Sequence, residues 1–260
     1  MSDLVHAAPA RSAALPRGAL VPLGLVALWA VAVDGGLVHH PLLVPLARVL
    51  AAPLSGDGRE IWPALAASLG RVLAGFLLGG VLGLATGALV GLSRPARETL
   101  SPSVHTLRQI TLFAWIPLLT AWFGNGEAPK LVFVALSAFF PVFLASETGF
   151  RGVPRGLREV AAVLRLSPRC RLVMLDVPAA APAIASGLQI GLLTAWIGTV
   201  GAEYAIGSGR GLGAFLAAAR DHFRMDLVLA GVLALALVGW GLGALLTRLL
   251  QVASPWNRAQ

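Results

Sequence analysis

Charged residues are bunched along this chain, and long stretches carry none. Uncharged runs occupy residues 18–33, 72–93, 109–126, 131–146, 177–202 and 227–247. Their lengths lie at or near the ~20 residues that cross a hydrocarbon core as a helix. Lipid offers the backbone no hydrogen-bond partner, so such runs are expected as helices rather than open strands. The pattern predicts an all-α integral membrane protein with six transmembrane helices, at about 18–34, 64–92, 104–123, 128–148, 179–203 and 227–248. The chain then divides into a cytoplasmic tail (1–17), a first helix with its external connection (18–62), a core holding helices two to six (63–250) and a C-terminal cytoplasmic tail (251–260).

Inside the spans, small residues and prolines carry the pattern. Gly75, Gly79, Gly83, Gly87 and Gly91 recur every fourth residue along helix two. Such a stripe lets another backbone approach closely, which is how helices associate where lipid supplies no hydrophobic drive. Helix five carries Gly187, Gly191 and Ala195. Pro117 and Pro141 fall in helices three and four, where a missing N–H permits a kink. Charges at span edges are few: Arg71, Glu147 and Glu203. A charge in the bilayer is costly, so such residues are candidates for a pathway, although snorkelling near span ends relieves the cost.

Composition agrees with a membrane protein. Hydrophobic residues make up 57% of the chain and charged ones 12%, against about a quarter charged in soluble domains. The formal charge of +8 reads as topology rather than nucleic-acid binding. With the N-terminus inside, thirteen basic residues fall in the cytoplasm (Arg11, Arg17, Arg94, Arg97, Arg108, Arg151, Arg155, Arg158, Arg165, Arg169, Arg171, Arg248, Arg258). Six fall outside (Arg48, Arg59, Lys130, Arg210, Arg220, Arg224), with Arg71 in helix two. Lys and Arg collect in cytoplasmic loops, which places both termini in the cytoplasm. Arg11 and Arg17 before an apolar run also resemble a secretory signal, but five further spans favour a retained first helix.

Little in the chain suggests catalysis or a resident metal. Cys170 is the single cysteine, and adjacent His39 and His40 point apart on a helix, which fits a solvated loop. The GSGRGLG run (207–213) lacks the Lys-Ser/Thr of a phosphate loop and fails GxGxxG at Leu212, so it reads as a tight external turn.

The segment LREVAAVLRLSPRCRLVMLDVPAAAPAI (157–184) is charged where its neighbours are apolar. Leu157, Val160, Ala161 and Leu164 share one helical stripe, while Arg158, Ala162, Arg165 and Arg169 follow another. Ser167-Pro168 supplies a stop, and right-handed helix is expected through Arg165 up to it. The helix is too short to span. It reads as lying on lipid headgroups or docking a soluble partner.

Glu159-Val160-Ala161-Ala162, with Leu164, Ser167, Pro178 and Pro182 following, resembles the EAA loop of ABC-importer permeases. SLGRVLAGFLLGGVLGLATG (68–87), IPLLTAWFG (116–124), FFPVF (139–143), GLQIGLLTAWIGTVGAE (187–203) and GLG (211–213) resemble the nitrate/sulfonate/taurine-type permeases, in order across about 64–250. Two positions depart from the pattern: Val160 at the second EAA position, and Arg165 where a turning glycine is usual. The resemblance implies the type I, MetI-like importer fold with a cytoplasmic coupling helix in a loop at about 150–178. It implies a homodimer in membrane lipid of the bacterial inner membrane, a cytoplasmic ABC ATPase dimer that uses ATP and Mg, and a periplasmic substrate-binding protein. This chain itself would bind no cofactor, and its transported species would be a small anion or organosulfonate. ATPase coupling would fall to Glu159, Val160, Ala161, Ala162, Leu164, Arg165 and Ser167, and candidate pathway residues are Arg71, Trp115, Gln189, Trp196 and Glu203. The rivals are an ion-coupled secondary transporter, expected to carry mid-membrane carboxylates and internal repeats, and a membrane scaffold.

Overall fold

The computed structural model describes residues 20–35, 43–207 and 209–253; the His39–His40 pair and Ser208 lie outside them. The regular structure among the described residues is all helix. In chain order the elements are α1 (Leu20–Asp34), α2 (Leu46–Ala51), α3 (Ile61–Leu92), α4 (Arg94–Leu107), α5 (Trp115–Phe123), α6 (Glu127–Arg151), α7 (Arg155–Val163), α8 (Pro168–Arg171), α9 (Val177–Ile206), α10 (Leu212–Asp221) and α11 (Met225–Ala253). Four long apolar helices contain α3, α6, α9 and α11, and Leu112–Phe123 is a shorter apolar segment.

The expected continuous third helix over 104–123 is not what forms. α4 ends at Leu107, residues 108–111 turn, and a short 3-10 turn (Leu112–Ala114) leads into α5. Two anchors at different depths cause the break. His105 is tied to Glu147 on α6 (2.9 Å), whereas Phe113 packs on Phe133, about four α-helical turns earlier on α6, and against Gly201 of α9. A helix of 1.5 Å rise per residue cannot meet both. Pro117 therefore sits in the first turn of a new helix, where its missing N–H costs nothing.

α3, α6 and α9 form the centre. The five glycines of the α3 stripe face α6, and the contacts step forward along both helices, so α3 and α6 run parallel. A Cβ on Gly79 would lie 2.0 Å from the carbonyl oxygen of Ala135, and one on Gly87 would lie 2.6 Å from that of Phe143. α9 runs antiparallel along a neighbouring face of α6, with Gly187 against Ala145, Gly191 against Val142 and Gly198 against Ser137. Small residues thus bring backbones together on both faces of α6. Pro141, inside α6, leaves the Ser137 carbonyl without its intrahelical donor, and the Thr194 hydroxyl on α9 donates to that oxygen at 2.8 Å. α11 packs outside, with Trp196 Nε1 of α9 donating to the Leu235 carbonyl (3.2 Å) and the Trp196 ring seated on Gly239. α2 and α11 bury Val49, Ala52, Leu227 and Ala230 together, and Trp29 of α1 packs on that group.

Candidate functional site: the interhelical loop and two buried ion clusters

α7 stands off the bundle. Within it only Ala161 is buried, whereas Leu157, Val160 and Glu159 are exposed, as is Leu164 just beyond. An apolar face left open on a short amphipathic helix is a surface built to be covered. Pro154 precedes α7, where fixed φ and a missing N–H suit a helix start.

The end of α7 corrects the sequence-based expectation. The helix stops at Val163, and Arg165 is left-handed at φ 50°, so right-handed helix does not continue through it. Leu166 N donates to the Ala161 carbonyl (3.1 Å) and Arg165 N to that of Ala162 (3.0 Å), which is the paired closure of a Schellman turn. Ser167 then accepts from the Cys170 N–H (3.3 Å) and caps α8. These bonds on both sides hold Arg165 in a conformation that glycine adopts freely, at a cost of about 1–2 kcal/mol for an L-residue. Arg165→Gly is therefore expected to raise the melting temperature of the purified protein by a few degrees and to preserve the turn; a fall would show that the Arg165 side chain holds this turn.

One ion cluster closes the end of the bundle where α3 begins. Arg71 of α3 forms ion pairs with Glu127 and Glu203 and also donates to the Arg210 carbonyl. Glu203, fully buried, accepts from Ser68 Oγ (2.7 Å) and from the Gly213 N–H (2.8 Å), while Leu212 N donates to Ser68 Oγ (2.9 Å). Glu203 and Ser68 thus cap the start of α10 from other helices, and the carboxylate faces the positive end of its dipole. Lys130 adds a contact to Glu127 at 3.3 Å. Gly211 and Gly213 permit this approach: a Cβ on Gly211 would lie 2.4 Å from the Glu203 carboxyl carbon, and one on Gly213 would lie 2.4 Å from the Val200 carbonyl oxygen. A cleft of about 510 Å³ opens beside α10, lined by Asp57, Glu60, Phe215, His222, Arg224 and Leu227. Asp226, with help from Asp57, holds the Arg224 guanidinium above its usual pKa, so it stays charged.

The second cluster sits at the opposite end. Glu147 of α6 is buried and accepts from Ser101 Oγ (3.0 Å) and Arg151 (3.2 Å), and it contacts His105 Nε2 at 2.9 Å. It ties α4 to the last turns of α6.

The structure brings together two of the five candidate pathway residues, Arg71 and Glu203. Trp115 lies apart, beside Leu119, Phe133 and Ala202, with its buried Nε1 lacking a hydrogen-bond partner. Gln189 and Trp196 lie on the seam between α9 and α11, Gln189 donating to Thr247 at 3.3 Å. Sequence reasoning missed Ser68 and Glu127 beside Arg71, and Ser101 and His105 beside Glu147. The signal available was a carboxylate at the first residue of an apolar run, Glu127; its partner was not legible.

The profile of the family described as binding-protein-dependent transport system inner membrane component matches residues 75–259. The chain belongs to that family. The permease is 38% identical over 224 residues to a Bacillus subtilis protein named as an aliphatic sulfonates transport permease, covering 86% of this chain and 81% of the relative. It is 33% identical over 177 residues to the taurine transport system permease of Escherichia coli, covering 68% and 64% of the two chains. Over 165 residues it is 35% identical to the nitrate import permease of Synechocystis, covering 64% and 58%. Its fold matches the membrane subunit of the inward-facing MetNI methionine ABC transporter at TM-score 0.66 and 20% identity, over 76% of this chain and 99% of that one. The all-α architecture, with four long apolar helices and one shorter apolar segment among the described residues, is thus that of a MetI-type permease.

Proposed function

We propose that the permease is the homodimeric membrane subunit of an ATP-driven importer for a small anion or organosulfonate. The names of its sulfonate, taurine and nitrate relatives support the substrate class. The observation that carries the coupling is α7: a short helix with an open apolar face of Leu157 and Val160, closed by a tight turn and joined to α9. A cytoplasmic ATPase dimer would cover that face, with Glu159 beside it as the docking carboxylate. Closure of the ATPases around ATP and Mg would move α7 and repack the α5, α6 and α9 group about the substrate path, a switch between two packings. The distribution of basic residues supports an orientation with α7 in the cytoplasm and the 510 Å³ cleft outside, where a binding protein would dock. The span-edge acids Arg71 and Arg151 reach, Glu127, Glu203 and Glu147, are engaged in ion pairs rather than free for ion coupling.

The test is Glu159→Ala. Uptake into vesicles is expected to fall by about tenfold or more, the equivalent of ~1.4 kcal/mol of docking free energy, while membrane insertion and melting stay unchanged. Co-purification of the ATPase reads the docking directly, and normal uptake with normal co-purification would refute the coupling role.

A further inference from the structure

Two residues of opposite charge near the coupling loop each keep one buried polar atom without a hydrogen-bond partner. Arg158, on α7, donates from a terminal nitrogen to the Phe150 carbonyl at 2.7 Å, yet its Nε is buried with no hydrogen-bond partner in the chain. Asp176 closes the π-helical turn Leu172–Asp176 that joins α8 to α9. It is 3% exposed; one carboxylate oxygen lies 3.4 Å from Arg171 Nε, and the other is buried without a partner. Buried ionic groups normally have every hydrogen-bonding position filled, because their desolvation otherwise goes uncompensated. A donor and an acceptor both orphaned are what a pair leaves behind when it is broken.

Both groups flank the same terminus. Phe150 is in the last turn of α6, and that turn packs on the start of α9, with Gly149 against Ala180 and Ala183. Ala180 lies one helical turn after Asp176. The π-helical turn is a further mark, since such wide turns collect at functional sites and can shift register without unfolding. Arg158, one of three charged residues of α7 with Arg155 and Glu159, and Asp176, at the base of α9, belong to two elements that must move together if α7 is to act on α9.

We propose that Arg158 and Asp176 pair in a second state of the transport cycle, the Arg158 Nε donating to the free Asp176 oxygen, and that this pair transmits the movement of α7 to the base of α9. In the present state Arg158 rests on the Phe150 carbonyl and Asp176 on Arg171; in the second state each leaves that contact for the other. Both act as positioning residues. The proposal rests on the importer reading, because the ATPase supplies the force that selects between the states.

The experiment uses the assembled transporter in membranes, with Cys170→Ser removing the single native cysteine. Arg158→Cys and Asp176→Cys are introduced together, and disulfide formation is compared without nucleotide and with ATP plus vanadate. The yield is expected to differ several-fold between the two conditions. In parallel, Arg158→Asp and Asp176→Arg are each expected to lower uptake by about tenfold while ATP hydrolysis continues, and the exchange of both to recover to within about threefold of the unsubstituted protein. Arg158→Lys guards against misfolding and should retain more uptake than Arg158→Met. A cross-link yield that ignores nucleotide, an exchange no better than its worse single variant, or equal behaviour of Arg158→Lys and Arg158→Met would each overturn the pair. If the unsubstituted permease shows no ATP-dependent uptake in the same membranes, it is the importer reading that fails.

Discussion

Gly79→Ala is expected to abolish uptake and to leave little folded permease in the membrane, while Gly80→Ala next to it leaves both near the unsubstituted level. Gly79 and Gly80 are both buried, and composition does not distinguish them. The geometry does. A Cβ on Gly79 would sit 2.0 Å from the Ala135 carbonyl oxygen and 2.8 Å from its carbon, whereas one on Gly80 meets nothing within 4 Å. The obstructing atoms are backbone and cannot rotate away, so α3 and α6 must separate along the whole stripe. Overpacking commonly costs about 1–3 kcal/mol, and this contact is at the severe end because dispersion along the interface is lost too. Thermal unfolding in detergent and vesicle uptake check both variants. Equal damage from the two would mean that helix propensity, rather than the approach to α6, governs this face.

The second large effect is expected at the ion cluster. Arg71→Met should destabilise the permease by about 3–5 kcal/mol, because Glu203 is left charged and fully buried. Arg71→Met combined with Glu203→Gln should recover much of that loss. The glutamine carbonyl can still accept from Ser68 and from the Gly213 N–H, so the cap on α10 survives without the charges. Glu127→Gln should be much milder, since the Glu127 side chain is 61% exposed and water replaces what it loses. Melting temperatures of the three variants, set against the unsubstituted permease, decide the matter. A double variant no more stable than Arg71→Met would show that the cluster acts through Arg71 alone, by its bond to the Arg210 carbonyl.

Features that depend on near neighbours along the chain are legible in the residues alone. The charge-free runs mark the segments that cross lipid, since span length and backbone satisfaction are local requirements. The four-residue glycine period marks a face of α3 made for close approach, and the spacing of Leu157, Val160 and Leu164 marks an amphipathic α7. The short motifs at 68–87 and 187–203 pointed to the family that the profile match over 75–259 shows. Tertiary structure decided the rest. Which helix fills the stripe is a matter of three-dimensional position, and α6, with Ala135, Phe139 and Phe143 presenting backbone atoms, fills it. The third segment breaks because His105 and Phe113 are anchored at different depths on α6, a conflict invisible along residues 104–123. Arg165 turns left-handed although its own preference is right-handed, because Ala161 and Ala162 behind it and the Ser167 cap ahead of it hold the turn closed. The ion cluster joins Arg71 to Glu127 and Glu203, 56 and 132 residues away. Periodicity carries information over a few helical turns, whereas the partners that neutralise a buried charge are chosen by folding, so only the folded chain shows them.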